Sequence, residues 1–296
     1  MAGSRPMPLP RRDFLKAGAL GVSAALAGLP AHAAAGKRPN LLLVTADDLG
    51  LQLSCYGEKR FATPRLDAFA AEGVRFENFY VAQPSCSSSR SALLTGWYPH
   101  QSGQYGLAHL GFTMRPGLPN LPALLKAGGY RTGIIGKLHV APEAEYPWDW
   151  MPQPEKMAAV ATRKVRWVAE QSKAFFESAK NEQKPFFYYV NFFDPHGPYT
   201  PDVAQVEGLP EQPLTAATLS EPFPLKSPTE EAVKRNSAVI ANTILRADAG
   251  MGLLLDALEA SGLADNTLVV FLGDNGLPVI RGKGTCYESG VHVPLL

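Results

Sequence analysis

The chain has 296 residues, 46% hydrophobic and 19% charged, enough for one large core or two domains and unlike a disordered or fibrous sequence. Its formal net charge of +1 argues neither for nor against a polyanionic partner, and no nucleic-acid partner is expected. Three cysteines, Cys55, Cys86 and Cys286, exclude a disulfide framework and are spaced too far apart for a CxxC zinc site.

The first 35 residues read as a targeting segment. Arg11-Arg12-Asp13-Phe14-Leu15-Lys16 is a twin-arginine run, Ala17 to Leu29 is uncharged and apolar, and Ala31-His32-Ala33 offers a small-x-small cleavage site. Residues 1–35 resemble a bacterial Tat export signal. The apolar stretch is too short for a membrane span, and no stable span is expected in the mature chain. The resemblance implies the Tat translocon as a partner, a mature chain starting near Ala34, and a periplasmic or secreted location.

Residues 36–296 alternate strand and helix signals. Four apolar runs share one layout: Leu41–Val44 leads into Thr45-Ala46-Asp47-Asp48, and Thr132–Ile135 into Gly136-Lys137-Leu138-His139. Phe186–Phe193 leads into Asp194-Pro195-His196, and Leu268–Leu272 into Gly273-Asp274-Asn275. Continuous apolar runs of this length predict strands buried on both faces, as in parallel sheets. Helices are predicted from Thr63-Pro64 to Gly73, from Asn120 to Gly128-Gly129, and over Lys156–Ala179 and Thr229–Ala260. The fold class is therefore α/β, a layered and mostly parallel sheet flanked by helices. In such sheets ligands bind beyond the carboxyl ends of the strands, where all four runs place charged or imidazole groups. The Pro-rich segments Trp148–Pro154 and Thr200–Pro228 read as loops walling a pocket.

Asp47-Asp48 and Asp274-Asn275 each follow a buried strand. Carboxylate and amide oxygens favour a hard cation, Ca²⁺ or Mg²⁺, over zinc, and adjacent carboxylates repel unless a cation neutralises them. Cys86 and Arg90 lie before the apolar Ala92-Leu93-Leu94, which predicts a helix N-terminus. Its N–H groups and dipole favour anions and lower a thiol pKa. Three intervening residues are too few for the anion-cradling loop of a cysteine phosphatase. A cysteine protease would leave the four oxygen ligands unexplained. Ser87, Ser88 and Ser89 read as spacers.

Cys86-Ser87-Ser88-Ser89-Arg90, followed by Ser91-Ala92-Leu93-Leu94-Thr95-Gly96, resembles the formylglycine signature of type I sulfatases. The resemblance runs in order through PNLLLVTADDLG, ATPRLDAFAAEGVRFENFY, RTGIIGKLHV, NFFDPHGPY, NTLVVFLGDNG and GKGTCYESGVHVPLL. QSGQYGL and GIIGKLHVAPEAEYPWDW look most like the heparan N-sulfatase branch. Ser88 departs from the usual Pro or Ala, and its small size is expected to be tolerated. The resemblance implies an alkaline-phosphatase-like sulfatase fold and hydrolysis of sulfate esters or sulfamates on a sulfated sugar. It implies that a formylglycine-generating enzyme converts Cys86 to an aldehyde, whose hydrate attacks sulfur. It also implies one divalent cation, Ca²⁺ before Mg²⁺, on Asp47, Asp48, residue 86, Asp274 and Asn275.

By the same resemblance, Arg90 holds the hydrate, Lys137 and Lys283 bind sulfate oxygens, His139 orients or deprotonates the diol, and His196 is the general acid. Arg281 could also reach the anion, and Lys283 is preferred because it matches the family position. His100 and His109 are secondary candidates for a substrate loop, and Cys55 and Cys286 read as structural. Val293-Pro294-Leu295-Leu296 reads as the start of another strand. The family pattern makes the sequence a fragment expected to end before a smaller C-terminal subdomain. A formylglycine-dependent phosphonate or phosphate ester hydrolase and a non-catalytic glycan-binding relative are the alternatives.

Overall fold

A computed structural model describes residues 38–152, 162–199 and 212–296. The export-signal segment 1–35, the Lys156–Ala161 start of one predicted helix and residues 200–211 of a Pro-rich loop lie outside the described residues.

The apolar runs form β1 (Asn40–Asp47), β2 (Arg131–Ile135), β3 (Phe186–Pro195) and β4 (Thr267–Gly273). They make one sheet in the order β2-β3-β1-β4, with every pairing parallel. The C-terminal residues add the antiparallel part: Leu295 bridges Leu272, and Leu296 and Phe271 exchange backbone hydrogen bonds of 3.1 and 2.9 Å. The helices are α1 (Pro64–Glu72), α2 (Cys86–Thr95), α3 (Leu121–Ala127), α4 (Val165–Asn181) and α5 (Glu230–Ala260).

The period-2 alternation of strand side chains sorts the layers. Leu42, Val44, Tyr188, Val190 and Phe192 face α4 and α5, in one cluster with Val168, Phe175, Ile240, Ile244 and Met251. Leu43, Phe187 and Tyr189 face the other way, against Leu94 of α2 and Leu121 and Leu125 of α3. With both faces covered, strands must be apolar throughout, which is why they were readable as continuous runs. By length and composition α5 could cross a membrane, yet it is mostly buried, as a core helix of a sheet protein is.

α4 starts later than predicted. Thr162-Arg163 form a turn instead, because Arg163 is drawn inward to pair with Asp194 at 2.5 Å and to donate to the His196 carbonyl at 2.6 Å.

α1 is capped from a distance. No Thr63 side-chain bond caps it; Asp248 of α5 accepts from the Leu66 N–H at 2.7 Å and the Arg65 N–H at 3.3 Å. Burial pushes this carboxyl up to about 6, against the pull of those two N–H groups. A raised carboxyl contributes stability that is complete below its unfolded value of about 4 and is lost as pH rises through 6. Asp248→Asn is expected to flatten a stability slope on the order of 2–3 kcal/mol over that window. Urea titrations at stepped pH would measure it; an unchanged slope would contradict the assignment.

Candidate active site

The site lies where β1 and β4 end and α2 begins. Asp47 closes β1 after a register shift that sets it opposite Pro195. Asp48 then turns left-handed (φ 65°), at a cost of roughly 1 kcal/mol for a residue with a Cβ. That turn lets its N–H donate to Asp274 Oδ1 at 2.9 Å, coupling the ends of β1 and β4. Asn275 follows, donating Nδ2 to Asp48 Oδ1 at 2.8 Å, while its own Oδ1 is buried with no hydrogen-bond partner among the described residues.

Cys86 is the first residue of α2, after an extended Ser85, as predicted from the apolar positions that follow it. Four residues on, Arg90 falls on the same helix face. Cys86 Sγ lies 3.3 Å from Asp47 Oδ1 and 3.7 Å from Asp48 Oδ1. Arg90 is fully buried. Its Nε donates to Asp274 Oδ2 at 2.8 Å, and its Nη1 to the Lys137 carbonyl at 2.8 Å and to Asn191 Oδ1 at 2.5 Å. Its Nη2 lies 3.8 Å from Asp47 Oδ1 and makes no hydrogen bond among the described residues.

Two lysines each reach one of the adjacent carboxylates. Lys137 Nζ donates to Asp47 Oδ2 at 2.6 Å; Lys283 Nζ lies 2.5 Å from Asp48 Oδ1 and 3.1 Å from Cys86 Sγ. Lys137 is delivered by the turn at Gly136 (φ 93°), where a Cβ would sit 2.3 Å from the Asn191 carbonyl oxygen, so no other residue fits. His196 Nε2 is 3.8 Å from Asp48 Oδ2, with its Nδ1 held by the Gly197 carbonyl at 2.8 Å. Behind it, Asp194 is clamped by Arg163 and Arg246, each at 2.5 Å. His139 does not join the carboxylates; its Nε2 is 2.8 Å from His109 Nδ1. Arg281, the rival for the anion, instead stacks its guanidinium on Tyr287, 5.0 Å from the ring centroid. Tyr146 and Trp148 belong to the core cluster behind α2.

Burial disfavours charge on Asp47, but Lys137 and Arg90 outweigh it and hold its carboxyl well below the usual range. Asp274 goes the other way, raised by burial and by Asp47. Burial and then Asp47, Asp274 and Asp48 push the Cys86 thiol well up. This corrects the expectation of a lowered thiol pKa: three nearby carboxylates and a dry site overcome the helix dipole.

The donor set fits a hard cation. Asp47, Asp48, Cys86 and His196 can bring ligand atoms within 4.8 Å of one another, and the orphaned Asn275 Oδ1 needs a positive partner. Oxygen donors dominate, as Ca²⁺ or Mg²⁺ prefers. Both Asp274 oxygens accept hydrogen bonds, from Asp48 N–H and Arg90 Nε, but each retains acceptor capacity.

Several residues of the site were missed in the sequence. Asn191, Tyr189 and Thr45 surround the Arg90 guanidinium, with Thr45 donating to Asn191 Oδ1 at 2.6 Å and Arg90 Nη1 reaching Tyr189 Oη at 3.2 Å. The available signal was a lone amide inside the apolar run FFYYVNFF, in phase with Tyr189. Ser87 is not a spacer: its Oγ accepts the Ala108 N–H at 3.0 Å.

A family model described as Sulfatase matches residues 39–296. The chain belongs to the sulfatase family. Human N-sulphoglucosamine sulphohydrolase is 35% identical over 275 residues, covering 87% of this chain and 54% of that protein. An ulvan-active sulfatase of Formosa agariphila is 30% identical over 271 residues, covering 90% and 50%. The chain thus spans about half the length of the curated relatives it matches. The crystal structure of Ps i-CgsB in complex with k-i-k-neocarrahexaose has a TM-score of 0.67 at 26% identity, covering 88% of this chain and 65% of that one.

Proposed function

We propose that this chain carries the catalytic domain of a sulfuric ester hydrolase acting on a sulfated sugar, through formylglycine formed from Cys86. The observation that carries this reading is the placement of Cys86: buried among Asp47, Asp48 and Lys283, at a helix N-terminus. A thiol or a serine there could take up a sulfuryl group but could not expel it by collapse to an aldehyde. Formylglycine, once formed at residue 86, would supply a hydrate: attack by one hydroxyl on sulfur would break the bond to the sugar oxygen or nitrogen, and loss of the other hydroxyl's proton would break the C–O bond to sulfate and return the aldehyde.

Asp47, Asp48, Asp274, Asn275 and residue 86 would hold one divalent cation, Ca²⁺ before Mg²⁺, which supplies charge against the sulfate oxygens when bound. Three carboxylates face three cationic side chains here, Arg90, Lys137 and Lys283. The formal charges of the protein groups cancel, so a dication leaves the site net positive toward an anionic sulfate. Lys137 and Lys283 take the oxygens on which charge develops. Arg90 fixes the carboxylates that position residue 86. His139 accepts a proton from the reacting group. His196, held through Nδ1 by Gly197, presents Nε2 to the leaving oxygen or nitrogen as general acid.

The similarity to N-sulphoglucosamine sulphohydrolase supports N-sulfoglucosamine as the first substrate to try. The twin-arginine run supports Tat export to the periplasm or beyond, with a formylglycine-generating enzyme as maturation partner. The full-length protein, matured in its host, should desulfate N-sulfoglucosamine or a sugar O-sulfate in preference to the matching phosphate ester. Cys86→Ala should lose at least about 10⁴-fold in kcat. Retained turnover in Cys86→Ala would sink the reading, and preference for the phosphate ester would transfer the site to the phosphonate and phosphate hydrolases.

A further inference from the structure

The chemistry above uses His139 and gives no role to the ring stacked on it, His109. His109 sits on the short turn Ala108–Leu110, exposed to solvent. Its Nδ1 is 2.8 Å from His139 Nε2, and the two rings are stacked, with 13° between their planes. The turn is tied to α2 beside the nucleophile, because the Ala108 N–H donates to Ser87 Oγ at 3.0 Å. His139 itself is left-handed (φ 52°), which a residue with a Cβ adopts only when its surroundings impose it. Its Nδ1 is buried and makes no hydrogen bond among the described residues.

Two neutral imidazoles in this arrangement share a single N–H. Either His109 donates from Nδ1 and leaves His139 with Nδ1–H, or His139 donates from Nε2 and keeps a bare lone pair on Nδ1. His139 Nδ1 is buried with no partner among the described residues, and a buried N–H left unpaired is rarer and costlier than an unpaired acceptor, so the second arrangement, in which His109 accepts, is selected. Burial, Lys137 and Arg90 push this imidazole down to about 3, so the ring enters the reaction neutral.

We propose that His109 is a positioning residue: it accepts the Nε2–H of His139 and so fixes the tautomer whose Nδ1 lone pair takes a proton from the reacting group. In that step the O–H bond of the reacting group breaks and its electron pair stays on oxygen. The proton passes to Nδ1, and the imidazolium returns it to water as the product leaves. The role of that proton rests on the sulfatase reading; the tautomer does not.

The test uses the intact matured protein and ¹⁵N long-range correlation spectra of its histidines, with His139 assigned by His139→Gln. Wild type should show His139 protonated at Nε2 and bare at Nδ1. His109→Phe keeps the stacked ring and removes the acceptor; it should populate the other tautomer and lower kcat about 10- to 100-fold with KM little changed. His109→Asn, whose Oδ1 can accept near the position of Nδ1, should restore most of both, and neither variant should shift the unfolding temperature. A wild-type His139 protonated at Nδ1, or a His109→Phe variant with unchanged tautomer and kcat, would overturn the proposal. If no sulfate ester is hydrolysed yet the tautomer shifts in His109→Phe, the positioning stands and the catalytic reading falls.

Discussion

Replacing Arg90 by methionine is expected to lower folding stability by about 3–5 kcal/mol and to abolish turnover. The guanidinium is fully buried and bonds Asp274, Asn191 and the Lys137 carbonyl at once. Methionine fills much of the volume but leaves Asp274 and Asp47 facing one another without their shared cation. The loss should depend on pH. Asp274 is already raised by burial and by Asp47, so without Arg90 it rises further. A raised carboxyl contributes stability that fades as pH increases, so the deficit should be smallest in acid and grow toward alkaline pH. Arg90→Lys restores one charge but not the fork, and should recover stability only in part. Urea unfolding across pH measures both effects; a deficit below about 1 kcal/mol for Arg90→Met would mean that the cluster is not neutralised from within.

The second large effect concerns the cation. Exhaustive chelation is expected to lower the unfolding temperature and extinguish turnover, and calcium to restore both. At a cation concentration near 100-fold above Kd, the gain is about 2.7 kcal/mol, because only the folded chain brings the ligands together. Asn275→Leu, which removes the orphaned Oδ1, should raise the calcium needed for half-restoration while leaving the sheet intact. Activity indifferent to chelator would show that Lys137, Lys283 and Arg90 suffice to hold the sulfate.

Much of this was legible before the fold. A sheet covered on both faces writes its strands as apolar runs, and the polar residues that end those runs converge by topology, as Asp48 and Asp274 do. What the sequence hid was side-chain direction at the ends of those runs. Asn191 and Thr45 point the same way as Tyr189 and Leu43 only because strands alternate, and they matter only because α2 drops Arg90 onto that face. The direction of the Cys86 shift was hidden for the same reason: a helix N-terminus is visible in sequence, whereas three carboxylates around it are not. The His109–His139 contact joins two loops 30 residues apart, with no periodicity to announce it.

Mass spectrometry of the peptide holding residue 86, from active full-length protein made in its native host, reads directly what that residue becomes. Conversion to formylglycine makes that peptide about 18 Da lighter, since the side chain loses H₂S and gains O. The lighter peptide is expected in proportion to activity. An intact Cys86 thiol in fully active enzyme would contradict conversion to formylglycine.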